Sequence, residues 1–199
     1  MKERPIIFSG ELVKAILEGR KTITRRVVKP QPLQKSARYF VFPDDAPKKF
    51  HDSDDIRDLC PFGSPGDHLW VRETWYPCVP GSGVAQYKAD ADCNDIKWHS
   101  EQGHRWRSPI HMPRWASRLT LEITGVRVER LQEISEEDAA AEGSSGCFEK
   151  HLHYDGREFR CSFERLWDSI NATRPGHSWE SNPWVWCLSF KRCENEKTL

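Results

Sequence analysis

The chain has 199 residues and no formal net charge, and it is 37% hydrophobic and 30% charged. This length fits one domain of roughly 100–200 residues better than two full cores. No stretch approaches the roughly 20 apolar residues that cross a bilayer, and the N-terminus lacks the apolar segment of a signal peptide. We therefore expect a cytoplasmic protein without a membrane partner.

Seven cysteines occur without a single C-x-x-C pair. An odd number without that spacing argues against a disulfide framework and against a zinc knuckle, so reduced thiols are expected. His151 and His153 do not belong to a set of residues with a recognised metal-ligand spacing. The sequence therefore predicts neither a metal site nor another cofactor.

Charge is distributed unevenly along the chain despite the neutral total. Residues 1–38 contain ten Lys or Arg and three acids, whereas residues 129–142 contain six acids and one Arg. Because a local basic patch is enough to attract phosphates, the neutral total does not exclude a nucleic-acid partner. Simple solvation of surface helices and a loop is the alternative explanation of both segments.

The first predicted elements are a short helix and a strand. Ser9 can cap a helix whose apolar residues recur at helical spacing, and Gly19 can end it. The β-branched run from Thr22 to Val28 predicts a strand, which two prolines then end. The tight turn between these elements carries Arg20 and Lys21.

Two long polar segments, at about residues 31–66 and 76–113, are predicted to be insertions or loops. The first has an acidic centre of several aspartates. Between the segments, alternating residues from His68 to Trp75 predict a strand, and the second segment encloses a short strand at Ala85–Lys88.

The C-terminal half begins with the clearest period-two pattern, from Leu119 to Val128, which predicts a long bent strand or a bulged pair. Ser135 resembles the start of a capping box and opens a helix that Gly143 ends. An amphipathic helix at 163–170 and a strand at Trp184–Phe190 follow. Several strands with few helices and no regular βαβ repeat predict an α+β fold around a small barrel.

The most informative stretch is the run Gly-Arg-Lys-Thr-Ile-Thr-Arg-Arg at residues 19–26. In a strand, Thr22, Thr24 and Arg26 share one face, and Lys21 can bend over that face from the preceding turn. Such a site can hold a phosphate or carboxylate, or a lysine with a lowered pKa can activate a threonine. A basic surface strand is the alternative that these residues alone leave open.

This run matches the G-x-K-T-x-T-x-R signature of ASCH domains, which belong to the PUA-like superfamily. It also resembles the corresponding run of small bacterial ASCH amidohydrolases that act on N4-acetylcytidine. The resemblance implies one domain over residues 1–199, with a PUA-like small mixed β-barrel, flanking short helices and the two long insertions.

The resemblance also implies a catalytic set, in which Lys21 is the base and Thr24 the nucleophile. The third member is a glutamate from a later helix, and residues 131–142 resemble the family's order of leucine, hydroxyl, alanine and glutamate, which selects Glu142. A carboxylate at a helix C-terminus tends to keep its proton longer and can donate it to a leaving amine. An ordinary solvated helix glutamate is the alternative for Glu142.

Tryptophans beside arginines form the second candidate feature, because aromatic rings next to cations hold single-stranded bases. The segments 70–75, 111–118 and 182–186 also resemble longer ASCH proteins of phages and prophages. The compact amidohydrolases differ, since they lack the insertions and have an apolar residue at the position of Arg25. The predicted ligand-binding residues are Arg20, Thr22, Arg26, Trp70, Arg72, Glu73, Trp75 and Arg114.

These observations predict an ASCH protein that binds RNA or an acylated cytidine nucleoside, with hydrolysis of the N4-acyl amide as its reaction. Three alternatives stay open at this stage. In the first, the pocket binds RNA or a modified base without reacting. In the second, the protein cleaves RNA with Lys21 and Arg26. In the third, it is a phage protein that engages a host factor through its insertions.

Overall fold

The computed structural model describes residues 1–34, 39–42, 51–52, 59–78, 84–144 and 158–193. The strands are β1 (Glu3–Ile7), β2 (Ile23–Val27), β3 (Leu33–Gln34), β4 (Tyr39–Val41), β5 (His51–Asp52), β6 (His68–Arg72), β7 (Trp75–Pro77), β8 (Ala85–Tyr87), β9 (Thr120–Arg130) and β10 (Trp184–Arg192). The helices are α1 (Gly10–Leu17), α2 (Cys93–Glu101), α3 (Glu136–Ala141) and α4 (Glu158–Asn171).

The main sheet has five strands in the order β1-β6-β9-β10-β2. β1 pairs with β6 in parallel, and the other three pairs are antiparallel. Two smaller sheets consist of β3-β4-β5 and β7-β8. The predicted α+β class is confirmed, although the edge strands β1 and β2 do not pair with one another and the described strands form no closed barrel.

Both faces of the strand β10 are covered. Trp186 and Leu188 face a core that includes Phe8 and Ile16, whereas Val185 belongs to a second core with Trp167 of α4. The first five residues of β10 are therefore all buried. The predicted strand is confirmed. Its alternating residues do not divide into a buried face and a solvated face, because helices pack on both sides of it.

The long strand β9 is continuous and irregular in its pairing with β10. Ser189 lies opposite Gly125, and the next residue, Phe190, lies opposite Ile123, so Thr124 is skipped. One extra residue on one strand is the definition of a β-bulge. The predicted bulged strand is confirmed.

Both predicted insertions contain regular structure. The described part of the first includes β3, β4 and β5, and the second includes β7, β8 and the helix α2, whose start is capped reciprocally by Asp92 and Asp95. Most of the acidic centre, as well as His151 and His153, lies outside the described residues. The assignment of the whole chain to one domain stays a prediction.

Two further sequence expectations concern thiols and membranes. Six cysteines lie within the described residues, and they form no disulfide with one another. In the same part of the chain, none of the helices combines the length and the apolar character that a membrane crossing needs.

Two helix ends meet beside the edge strand β2. Gly19 follows the C-terminus of α1 and Gly143 follows that of α3, both with a positive φ, 75° and 85°. A Cβ on Gly19 would have nothing within 4 Å, whereas a Cβ on Gly143 would lie 2.8 Å from Ala15 Cβ and 3.1 Å from Lys21 Cβ. Only glycine permits this close approach of α3 to Lys21.

This contact predicts that Gly143→Ala destabilises the protein more than Gly19→Ala. Both substitutions impose a left-handed conformation on a residue with a Cβ, at about 1–2 kcal/mol. Gly143→Ala additionally forces an overlap, worth a further 1–3 kcal/mol or so. Urea unfolding of the two variants measures the difference, and equal losses would contradict the packing described.

Candidate functional site

The position of Lys21 is fixed by the backbone on both sides. Its N–H donates to Ala15 O of α1 at 3.0 Å, and the N–H of Thr22 donates to Ala141 O of α3 at 2.9 Å. Lys21 and Glu142 form an isolated antiparallel bridge. Residues 121 positions apart in sequence are therefore adjacent in space.

The ammonium group of Lys21 is completely buried and donates three hydrogen bonds. Nζ lies 2.6 Å from Glu142 Oε2, 2.8 Å from Glu142 O and 2.7 Å from Ile23 O. Because an ammonium has three donors, this shell satisfies all of them. Burial lowers the pKa of Lys21, and the Glu142 carboxylate opposes that effect.

Arg25 contacts the second oxygen of Glu142 and connects it to a larger ionic cluster. Nη1 lies 3.5 Å from Glu142 Oε1, Nε donates to Glu129 at 3.0 Å, and Nη2 donates to Asp138 at 2.6 Å. Arg127 also donates to Asp138, at 2.6 Å. Three cations and three carboxylates thus balance one another, which is the condition under which charges are tolerated in an interior.

A cavity of about 600 Å³ begins at this cluster and extends along β2 toward α4. Its walls come from the end of β1, the start of α1, the edge strand β2 and one side of α4. Its lining includes Ile7, Phe8, Ser9, Leu12, Thr24, Arg25, Arg26, Val27, Lys29, Pro61, Phe62, Glu142, Phe163, Leu166, Trp167, Ile170, Asn171, Arg174 and His177.

Thr24 and Arg26 lie on the face of β2 that carries Leu188 and Trp186 as their cross-strand partners. Thr24 is 3% exposed and lines the cavity together with Glu142. Two of the three predicted catalytic residues therefore line one cavity, and the third, Lys21, is bonded to Glu142 behind its wall.

Arg26 is held over the ring of Phe8, with 5.2 Å between its guanidinium carbon and the ring centroid. Nη2 donates to Ile7 O at 2.6 Å, but the buried Nε has no hydrogen-bond partner. Burial lowers the pKa of Arg26, and Glu142 opposes that effect. This guanidinium keeps its charge, and its Nε is a buried donor without a partner among the described residues, in a side chain that lines the cavity.

A basic corner of the cavity is formed by Lys29, Arg174 and His177. Burial lowers the pKa of His177, and the charges of Lys29 and Arg174 lower it further. The Nδ1 atom of His177 is buried without a hydrogen-bond partner. The charges of Lys29 and Arg174 both act on His177, and positive charge at this end of the cavity favours an anion.

The apolar part of the wall contains four aromatic side chains beside several aliphatic ones. Phe8 and Phe62 lie on one side, and α4 contributes Phe163 and Trp167 on the other. The Trp167 ring is fixed, since its Nε1 donates to His177 O at 2.8 Å. Charged and aromatic groups therefore face the same space.

The other predicted binding residues lie outside this cavity. The guanidinium carbons of Arg72 and Arg114 lie 5.3 and 5.9 Å from the ring centroid of Trp70, and Arg114 also pairs with Glu3. Trp75 packs edge-on against Trp115. The structure therefore does not bring the tryptophan segment 70–75 to Lys21.

Glu73, Arg20 and Thr22 also make contacts away from the cavity. Glu73 is buried and accepts two hydrogen bonds from Arg118, at 2.9 and 3.0 Å, which is a packing role. Arg20 pairs with Glu18 on the surface, and Thr22 is exposed.

Sequence reasoning missed several residues of the cavity wall. The helix α4 was predicted, but the sequence did not indicate what its apolar side faces. Arg25 stood out only as a departure from the compact amidohydrolases, yet it holds Glu142 in place. The missed residues are Arg25, Lys29, Phe163, Trp167, Arg174 and His177.

We expect Glu142→Gln to destabilise the protein by about 3 kcal/mol, because it leaves a buried ammonium without its counter-charge. The matched control is Glu18→Gln, which removes a carboxylate from the exposed pair with Arg20 and should cost about 1 kcal/mol or less. Denaturant unfolding measures both variants. A loss for Glu142→Gln no larger than that of the control would contradict the cluster.

A scan against models of protein families and a search of curated proteins both found no match for the chain. Among solved structures, the chain is similar to a protein from Enterococcus faecalis V583 with the family designation DUF984, at TM-score 0.44 and 12% identity over 100% of this chain and 84% of that one. It is also similar to an ASCH domain from Lactobacillus crispatus, at TM-score 0.40 and 14% identity over 96% and 79%. Similarity at these levels carries no conclusion about function.

Proposed function

We propose that the cavity binds RNA or a modified, acylated cytidine nucleoside. The carrying observation is Arg26, a cation in the cavity wall with a buried donor that has no partner among the described residues. Lys29 and Arg174 of the basic corner supply further positive charge, and the partly exposed ring of Phe62 supplies a surface for a base.

Arg26 supports the proposal because a donor left without a partner is unfavourable. A buried unsatisfied group costs about 1–3 kcal/mol, and more when it is charged. A ligand oxygen that accepts from Nε removes this cost, and the planar guanidinium can donate a second, parallel hydrogen bond. Phosphate and carbonyl oxygens both have the required geometry.

The basic corner favours a phosphate over a neutral polar group. Lys29 and Arg174 already depress the pKa of His177, so an anion at this position offsets their unfavourable effect on the protonated imidazole. Glu142 is the one carboxylate among the residues that line the cavity, and Lys21 and Arg25 already pair with it.

The size and walls of the cavity favour an aromatic group attached to that anion. A volume of about 600 Å³ falls within the roughly 300–1,000 Å³ of small-ligand sites. Phe62 is a partly exposed ring of this wall, whereas Phe8 and Trp167 are almost completely buried. Stacking of one base on an aromatic side chain is worth about 1–3 kcal/mol. A phosphate joined to a planar base is a nucleotide or one unit of a single strand.

Binding of labelled single-stranded RNA, followed by fluorescence anisotropy at several salt concentrations, tests the proposal. We expect Arg26→Gln to weaken binding about tenfold or more, because a charged hydrogen bond is lost. Arg174→Ala should weaken binding and reduce the salt dependence by about one released counterion. Cytidine monophosphate should compete for the same site.

Arg105→Ala is the matched control, since Arg105 is an exposed arginine that does not line the cavity. It should leave affinity unchanged. Equal effects of Arg105→Ala and Arg26→Gln would mean that binding is non-specific attraction to surface charge, and the proposal would fail.

Amide hydrolysis is a second candidate, favoured by the 2.6 Å hydrogen bond between Lys21 Nζ and Glu142 Oε2. Transfer of one proton along this bond gives a neutral amine and a protonated carboxyl. The amine then accepts the proton of Thr24 as the threonine oxygen attacks the acyl carbon, and Glu142 donates to the leaving cytidine amine. Water then hydrolyses the acyl-threonine ester, which releases acetate and restores the Thr24 hydroxyl. One proton transfer therefore prepares both the base and the acid.

Incubation with N4-acetylcytidine tests this reaction by release of acetate and cytidine. We expect Lys21→Ala and Thr24→Val to reduce turnover by about a hundredfold or more, the range of a lost acid–base or nucleophilic group. Thr24→Val should retain affinity for the ligand. Labelled RNA in the same assay reports strand cleavage.

If the wild-type protein binds cytidine ligands but turns over no acylated nucleoside, the amidohydrolase candidate is wrong and the protein is a binding module. Strand cleavage lost on Lys21→Ala or Arg26→Gln would instead assign the ribonuclease alternative.

A further inference from the structure

Three potential metal ligands meet on the outer face of the main sheet, away from the cavity. They are His68 at the start of β6, Glu122 in β9 and Cys193 directly after β10. We propose that this group binds a divalent transition-metal ion of the Zn²⁺ class, with water as a further ligand. This site is independent of the proposed nucleotide cavity.

The sheet register places the three side chains on one face. His68 and Glu122 are direct cross-strand partners, as are Glu122 and Lys191. Cys193 follows Lys191 by two residues, so it shares the same face, and its N–H donates to Thr120 O at 2.9 Å. The group is therefore positioned by three neighbouring strands.

The core on the other side of the sheet makes this placement rigid. Leu69 and Leu121, the neighbours of His68 and Glu122, are completely buried and directly opposite each other. A slip of either strand by one residue would expose that pair. Ligands fixed by rigid strands lose little conformational freedom on binding, which favours affinity.

The distances suit a tetrahedral ion. The ligand atoms of His68, Glu122 and Cys193 all lie within 4.8 Å of one another, and Cys193 Sγ is 4.0 Å from His68 Nε2. With Zn–S near 2.3 Å and Zn–N near 2.0–2.1 Å, a tetrahedral ion brings those two atoms to roughly 3.6 Å. For this pair, side-chain movement of a few tenths of an ångström is sufficient.

The chemistry of the donors also suits the ion. A thiolate, a carboxylate and a neutral imidazole together carry a formal charge of −2, which balances Zn²⁺. This mixture of sulfur, oxygen and nitrogen ligands selects Zn²⁺ or Co²⁺ over Mg²⁺ or Ca²⁺. Lys191 Nζ lies 3.1 Å from Glu122 Oε2, but the Lys191 side chain is 63% exposed and can turn away into solvent. Glu3, the partner of His68 in β1, already pairs with Arg114.

A second group of the same residue types does not qualify. Glu129, Asp138 and Cys187 also lie within 4.8 Å of one another. However, Arg25 and Arg127 already bind both carboxylates. Burial raises the pKa of the Cys187 thiol to about 12, and it raises that of the less buried Cys193 thiol as well. A cation there would displace two guanidinium groups from a balanced cluster.

Titration of the full-length, chelator-treated protein with Co²⁺ tests the proposal. We expect tetrahedral d–d absorption together with a near-ultraviolet thiolate-to-cobalt band, both abolished by Zn²⁺. Cys193→Ser should remove the thiolate band, and His68→Ala and Glu122→Gln should each weaken binding at least tenfold. Cys93→Ser, which changes an exposed cysteine on α2, is the control and should bind like the wild type.

Alkylation of the wild-type protein provides a second measurement that needs no variant. Zn²⁺ should slow modification of Cys193 by iodoacetamide, read by peptide mass spectrometry, and should leave Cys93 unaffected. Absence of a thiolate band in the wild type, a band that persists in Cys193→Ser, or equal protection of both cysteines would overturn the proposal.

Discussion

The interaction on which the account depends is the buried contact between Lys21 and Glu142, with Arg25 on the second carboxylate oxygen. Removing these charges from water costs several kcal/mol per ion, and only close pairing with complete hydrogen bonding offsets that cost. The cluster meets both conditions, because the three ammonium donors are satisfied and cations and carboxylates balance. Its main effect is on position: it joins the end of α3 to the start of β2.

The cavity follows from that junction. Once the end of α3 is held against Lys21, Glu142 lies in the wall beside Thr24 and α4 covers the other side of β2. Arg26 makes no direct ion pair with the described residues of the cluster, although the charge of Glu142 favours its protonated form; its own contacts are the Ile7 carbonyl and the Phe8 ring. The carboxylates of the cluster are paired with Lys21, Arg25 and Arg127, so the positive charges of Arg26, Lys29 and Arg174 are the basis of the proposal that the ligand is anionic.

Much of the local structure could be predicted from the sequence, because caps, terminal glycines and alternation act over a few residues. The helices near Ser9 and Ser135, the long bulged strand and the last strand all followed from such signals. The pairing of Lys21 with Glu142 was suggested only by the resemblance to ASCH domains. The contribution of α4 to the cavity was not predictable, since an amphipathic pattern identifies an apolar side without identifying what covers it. For the same reason, the sequence did not show that Trp70 and Trp75 lie away from the cavity. It also did not indicate that His68, Glu122 and Cys193 lie together, because only the strand register places them side by side.

The most direct test of the central claim follows the side-chain N–H signals of the arginines by NMR while cytidine monophosphate is added. If the cavity binds its ligand through Arg26, the Arg26 Nε–H resonance should shift and become protected from exchange with water, whereas that of Arg105 should not change. A ligand that binds while the Arg26 resonance stays unchanged would contradict the account.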